Sequence, residues 1–396
     1  MDQSTPPVRL LSILDNDFYK FTMQCAVVNL FPDIKAKYRF INRGQHAFPP
    51  GFGAALQQSV ATMAALELKP AEKDFLLREC PYLNPAYIDF LAGYRYRPEE
   101  VHISQEGSEL EVSVEGYWFR TILWEVPLLS LISELFYVLT GQTRMDDQGV
   151  LDKTREKIDL FNSLGVPVAD FGTRRRHSYD VHRLIAKTLK AFHGKSYIGT
   201  SNVHLAMLTG VKPIGTHAHE WFMFHGAYYG FKMANALGME NWAKVYQGDL
   251  GVALSDTYTT DIFFEQFNKK LSKLFDGVRH DSGDPVEFAE KTIAHYKRNG
   301  INPLYKFIIF SDGLNPEKVA HITQATRGRI GISFGIGTNL TNDVGLTAMN
   351  IVIKLTEISA SGLASIPTIK LSDEKGKHTG DPEMIDLAKK ILGIRE

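Results

Sequence analysis

The sequence predicts an α/β fold, with a β/α barrel-like body carrying one catalytic face and a smaller α+β domain ahead of it. From Val166 onward an apolar run repeatedly ends in small, polar or charged residues and leads into a stretch of helical periodicity. The clusters read VPVADFGTRR, KSYIGTSN, KPIGTHAHEW, LGVALSDTY, FDGVRHDSGDP, FIIFSDGLNP and ISFGIGTN. Buried parallel strands are near-continuous Val/Ile/Phe runs, and such folds place reactive groups at the strands' carboxyl ends. Before about residue 135 the pattern changes to period-two alternation, in Ala36, Tyr38, Phe40 and again in Leu110, Val112, Val114, which indicates antiparallel strands with one wet face.

The elements follow in order. Phe52 to Leu68 and Pro70 to Glu79 have helical spacing, and Pro81, Pro85 and Pro98 punctuate the connections. Leu128 to Gly141 forms a helix leading into the barrel, with Met145 to Gly149 as a polar interruption. Ser178 to His193 carries the apolar stripe Val181, Leu184, Ile185, Thr188, Leu189, Phe192. Asp284 and Pro285, then Asn315 and Pro316, are helix-start signals, and Glu287 completes a variant capping box. The predicted domains are residues 1–135, an α+β sandwich, and 136–396, the barrel, with 366–396 folding back onto the first.

Composition narrows the function. A chain of 396 residues with a formal net charge of −1 lacks the basic excess that would draw it to nucleic acid or to an acidic membrane. Cys25 and Cys80 are the only cysteines, so neither a disulfide framework nor a thiolate zinc site is expected, in keeping with a reducing cytoplasm. The most apolar stretch, Thr121 to Leu139, includes Glu125, Pro127 and Glu134 and reads as a buried helix, not a membrane span. No export signal is evident.

Among the clusters, GTHAHEW carries the sharpest chemistry. Alternate residues of an extended segment share a face, so His217 and His219 are expected to project together, with Glu220 opening a helix. Such a pair chelates a metal, as in a β/α-barrel hydrolase with Asp281 as base; or one imidazole acts as nucleophile or acid/base group with Glu220 or another carboxylate orienting it; or both are simply satisfied at a strand end. In RHDSGDP, Asp284 reads as a helix N-cap, whereas Asp281 suits ribose hydroxyls or hydrated magnesium. Asp256 and Asp312 are candidates of the same kind, or turn residues. Gly335 and Gly337, ahead of Thr338 and Asn339, lie late in the barrel, where loop amides commonly grip a phosphate. FGTRRR offers Phe171 to stack on an aromatic ligand and an arginine among Arg174 to Arg176 for a small carboxylate. Tyr19, alone, reads as a packed aromatic.

Taken in order, DFYKFTMQ, DFGTRR, IGTSN, GTHAHEWF, SDTY, RHDSGDP, FSDGL and SFGIGTNLTND resemble the nicotinate phosphoribosyltransferase family in its bacterial form; NIVIKL and KLSD near the carboxyl end fit as well. The resemblance implies the type II phosphoribosyltransferase architecture, an irregular β/α barrel beside an α+β sandwich, in a homodimer with shared active sites. It implies condensation of nicotinate with 5-phosphoribosyl 1-diphosphate coupled to ATP hydrolysis, with Mg2+, in the salvage route to NAD. His219 is then the transiently phosphorylated residue and His217 an auxiliary neighbour. Phe171 and Tyr19, the latter from the other subunit, sandwich the pyridine ring. Arg279 and Arg174 balance its carboxylate, with Thr216 in the same loop as His219. Asp281 and Asp256 meet ribose or metal-bound diphosphate, and Gly335, Gly337 and Thr338 hold the 5-phosphate. Ser201 stands where nicotinamide-using relatives carry an aspartate, and an uncharged residue there is compatible with an acid substrate.

Overall fold

The protein is described by a computed structural model that covers residues 7–394, except 193, 361, 363 and 375–377. Period-two alternation before residue 135 becomes alternating burial on β1 (Lys35–Asn42) and β3 (Glu109–Tyr117), with β2 (Val101–Glu106) antiparallel to β3. Ala36 and Tyr38 of β1, and Leu110, Val112 and Val114 of β3, are the buried set. Pairing of β1 with β3 is antiparallel as well.

All seven apolar runs are strands of one parallel sheet. They are β4 (Val168–Asp170), β5 (Tyr197–Thr200), β6 (Lys212–Pro213), then, after a short β7 (Gln247–Leu250), β8 (Val252–Leu254), β9 (Gly277–His280), β10 (Phe307–Phe310) and β11 (Gly331–Ile336). The order β6-β5-β4-β11-β10-β9-β8 gives a curled half-barrel rather than a closed ring. The polar clusters therefore lie together at its carboxyl edge.

Helix boundaries follow the local chemistry. Pro70–Glu79 forms as expected, whereas the helix from Phe52 ends at Thr62 and tightens into a 3-10 turn over Met63–Ala65. The polar residues 145–149 start a helix: Asp146 accepts a hydrogen bond from the Gly149 amide and caps Asp147–Leu164. Helix Tyr179–Ala191 is capped by Ser178, and His193, its expected end, lies outside the described residues. Asp284 accepts from the Val286 and Glu287 amides, and Asn315 from that of Lys318, as free N–H groups at helix starts require. Trp118–Thr140 is apolar enough to span a membrane, yet 83% of its most apolar window is buried within the protein.

The chain returns to the first sheet at residue 351, earlier than the expected 366. β12 (Ile351–Ser359) is inserted between β1 and β13 (Ile366–Pro367), in the order β13-β12-β1-β3-β2. The cause is alternation: Ile351, Ile353 and Leu355 are buried on one face, which releases Val352 and Lys354 to the other. Because Ile353 is 2% exposed, truncating it should leave a cavity that the strand cannot collapse. Ile353→Ala is expected to cost about 2–5 kcal/mol in urea unfolding; a loss below about 0.5 kcal/mol would show that β12 is not integral to the sheet.

Candidate active site

One cavity of about 1110 Å³ lies between the carboxyl edge of the half-barrel and the first sheet. It reaches down the strands as far as Phe307 and Gly331, the first residues of β10 and β11. Tyr19, Phe171, Arg174, Ser201, Thr216, His219 and Glu220 line it, as do Arg279, Asp281, Asp312, Gly335, Gly337 and Thr338. Asp256 stands behind this wall, fully buried, within reach of His219.

His219 is the first residue of helix His219–Tyr229, and its ring is held on both sides. Nδ1 lies 3.1 Å from Thr257 Oγ1. Nε2 lies 2.9 Å from Asp281 Oδ2, 3.1 Å from Lys370 Nζ and 3.7 Å from Asp256 Oδ1. Asp281 Oδ2 is also 3.3 Å from Arg279, and Lys370 donates to Asp256 Oδ2 at 2.9 Å. Two carboxylates and Lys370 thus surround Nε2, with Arg279 on the far side of Asp281. Burial, reinforced by the Lys370 ammonium, holds its pKa down to about 4. A neutral ring with a lone pair is the nucleophilic form. Against the cost of burial, Arg279 and His219 keep the Asp281 carboxyl ionised, well below its ordinary value.

Two expectations at this cluster are corrected. His217 does not share a face with His219, because the helix begins at residue 219 and breaks the extended alternation. Its ring packs into an aromatic wall, 4.7 Å from Trp242 and 5.0 Å from Phe222, where burial keeps it neutral. Among the described residues the group spaced for a metal is His219, Asp256 and Asp281, without His217, so the hydrolase reading loses its paired histidines. Glu220 does not orient the imidazole: one oxygen faces Lys20, and the other accepts from Tyr38 at 2.8 Å and Trp118 at 3.0 Å. It anchors the helix start, while Asp281 and Thr257 hold the ring.

Phe171 and Tyr19 both line this cavity. Residues 17–19 are pinned to their own barrel by the Phe18 amide, which donates to Ser201 O at 2.7 Å, and by a bridge between Asp17 and Asn202. Gly215 permits this approach, since a Cβ there would stand 2.8 Å from the Tyr19 nitrogen. Tyr19 therefore lines the cavity of its own chain. Gly335 serves the ring pocket too: its Cβ would meet the Phe171 ring at 2.3 Å.

The arginine run is resolved by its partners. Arg176 is buried in a two-pronged ion pair with Asp15, at 2.6 and 2.8 Å, and serves the scaffold. Arg174 faces the cavity, its nearest carboxylates being Asp17 at 3.7 Å and Glu125 at 3.9 Å. Arg175 lines it as well. Ser201 donates to Asp17 Oδ1 at 2.7 Å, so a carboxyl group lies one hydrogen bond from the position where its absence was expected to matter. Burial raises the Asp17 pKa, against the opposing field of Arg174.

Several cavity groups had no assigned role in the sequence. Lys370 and Lys354 come from the KLSD and NIVIKL motifs, and burial together with Lys370 draws the Lys354 pKa down to about 8. Thr257, buried behind the cavity wall, lies within the noted SDTY cluster, whereas the cavity-lining Arg43 carried no signal of its own.

The buried histidines make stability pH-dependent. Burial holds His177, His219 and His225 down to about 4, from an ordinary value of 6.5. As pH falls through that ordinary value the unfolded chain binds protons that the folded chain refuses, so stability present above it is lost toward the folded value. Calorimetry should show Tm falling between pH 7.5 and 5; a Tm that is constant or rises would contradict the neutral assignments.

The geometry agrees with the comparisons. The family profile for the nicotinate phosphoribosyltransferase family matches residues 166–396, and that for its N-terminal domain residues 14–133. A nicotinate phosphoribosyltransferase of Chromohalobacter salexigens is 60% identical over 384 residues, spanning 97% of this chain and 98% of the relative. One from Desulforapulum autotrophicum is 48% identical, over 96% and 98%. The crystal structure of nicotinate phosphoribosyltransferase from Porphyromonas gingivalis superposes with a TM-score of 0.95 at 47% identity, over 97% of this chain and 100% of that one. That from Vibrio cholerae gives 0.90 at 33%, over 99% and 96%. Sequence, fold and site together show that this chain belongs to the nicotinate phosphoribosyltransferase family.

Proposed function

We propose that the protein condenses nicotinate with 5-phosphoribosyl 1-diphosphate, giving nicotinate mononucleotide and diphosphate for NAD salvage, and that ATP drives the step through a phosphohistidine at His219. The observation that carries this is the neutral imidazole at the wall of a large cavity, its Nδ1 beside Thr257 and its Nε2 between Asp281 and Lys370. The cavity lining also suits a flat acid: Phe171 and Tyr19 for the ring, Arg174 for the carboxylate. Arg279 is committed to Asp281, Ser311 and the His217 carbonyl, which makes it a support for Asp281. Gly337, Thr338 and Asn339 offer the 5-phosphate a turn lined by backbone, with Lys354, Arg43 and Lys370 across the cavity for the diphosphate.

The ring nitrogen of nicotinate is already a nucleophile, so the protein need supply no base. Its work is to align the two substrates and to balance the positive charge that develops on the ribose as diphosphate leaves. Asp281 borders the cavity where such charge would form. Mg2+ fits the oxygens present: Asp281 faces the cavity, and Asp256 Oδ1 is buried without a hydrogen-bond partner. These two would hold the ion, which would offset charge on the departing diphosphate. Phosphorylation couples ATP to synthesis if the phosphoenzyme binds the substrates more tightly than the free enzyme. The homodimer with shared active sites and the cytoplasmic setting belong to the same proposal; the two free, buried cysteines accord with a reducing compartment.

His219→Asn should abolish both the acid-labile protein phosphate and the stimulation of nicotinate mononucleotide formation by ATP, leaving at most slow ATP-independent synthesis. The check is product formation from nicotinate and 5-phosphoribosyl 1-diphosphate, with and without ATP. Equal stimulation in variant and wild type would contradict the assignment.

A further inference from the structure

The ring pocket and the phosphate turn follow different strands, β4 and β11, yet the new bond must join what the two hold. Their relative placement converges on Gly172, which lies between Phe171 and Arg174. Its amide donates to Asp170 Oδ1 at 2.8 Å, and its carbonyl accepts from Thr341 Oγ1 at 3.0 Å. The other oxygen of Asp170 is braced by Thr200 Oγ1 at 2.8 Å and by His182 Nε2. Thr341 closes the short helix Thr338–Thr341, which begins directly after Gly337. Both clamping side chains are buried, at 1% and 0% exposure, and neither lines the cavity.

Glycine is required at this contact, because a Cβ on residue 172 would stand 2.0 Å from Thr341 Oγ1. Upstream, the Phe171 amide is held on β11 by Ile336 O at 2.8 Å; downstream, the Arg175 carbonyl accepts from Asn342 Nδ2 at 2.9 Å. Arg174 hangs between these fixed points with its nearest carboxylates at 3.7 and 3.9 Å, so the backbone sets where its guanidinium points. The phosphate turn has separate support: Lys157 donates to the Asn339 carbonyl and, at 2.6 Å, to Asp343 Oδ2.

We propose that Thr341 is a positioning residue of the ring pocket: through the Gly172 carbonyl, its hydroxyl sets the register of Phe171 and Arg174 against the turn that takes the 5-phosphate. This rests on the substrate reading above and deepens it. Without the hydroxyl a buried carbonyl loses its partner, and the peptide turns to find another, carrying Arg174 with it. The grip on a ligand carboxylate is then weakened in ground state and transition state alike, so KM for nicotinate takes the loss and saturated turnover is spared.

Initial rates of nicotinate mononucleotide formation, with each substrate varied in turn, test this. Thr341→Val should raise KM for nicotinate about 10-fold, the worth of one neutral hydrogen bond, and that for 5-phosphoribosyl 1-diphosphate by less than about 2-fold. Thr341→Ser, which keeps the hydroxyl, should return KM for nicotinate to within about 2-fold of wild type. Gly172→Ala, acting from the other side of the same contact, should reproduce the selective rise, and it carries the test if Thr341→Val does not fold. An unchanged KM for nicotinate, or equal rises for both substrates, would overturn the proposal. Crystal structures of wild type and Thr341→Val give a readout independent of the substrate: a rotated Gly172 peptide with Arg174 displaced is expected, and superposable loops would overturn the clamp. Wild type that forms no nicotinate mononucleotide, while the loop of Thr341→Val moves, would refute the substrate reading and leave the clamp standing.

Discussion

A neutral imidazole among four charges is the arrangement on which the rest of this molecule depends. Asp256, Asp281, Arg279 and Lys370 are two negative and two positive groups, so the pocket around His219 is balanced while the ring itself carries no charge. A buried charge without a partner is costly, and removing one member of such a set leaves another exposed to that cost. The balance also suits the chemistry. An imidazolium would have no lone pair to offer, and an excess of carboxylates would repel a polyphosphate.

Building that pocket takes both sheets. The half-barrel supplies Asp281 and Arg279 at the end of β9 and Asp256 after β8, while β12 supplies Lys354 and the chain beyond β13 supplies Lys370. Lys20 joins the two through Glu125 and Glu220, and Tyr38 of β1 shares Glu220 with Trp118. This buried network sets the first turn of the helix that begins with His219. Close approaches are managed by glycine: at Gly215 for the backbone of Tyr19, at Gly335 for the ring of Phe171. In both cases the glycine makes room for a neighbouring protein group, independent of any contact with phosphate.

Much of this was legible in the sequence because strong local signals agreed with the final fold. Each of the seven apolar runs is a strand, and their polar ends share one cavity because parallel strands bring like ends together. Asp284 and Asn315 cap helices as read. What was less legible depended on long-range partners. Nothing local distinguishes Arg174 from Arg176; only Asp15, some 160 positions away, takes one into the scaffold. The pairing of His217 with His219 assumed an extended backbone that the helix start ends. Glu220 was given to the ring because it is adjacent in sequence, yet Lys20, Tyr38 and Trp118 claim it from distant elements. Lys370 sat in a noted motif without a role, since only β12 and its return strand carry it to His219.

The central claim is that His219 carries the phosphoryl group. Phosphorus–nitrogen coupling in 15N-histidine enzyme incubated with ATP tests it most directly, because it identifies the bonded atom as well as the residue. The account predicts a phosphoramidate signal coupled to a ring nitrogen of His219 that vanishes when nicotinate and 5-phosphoribosyl 1-diphosphate are added. Coupling to any other histidine, or to no nitrogen at all, would contradict it.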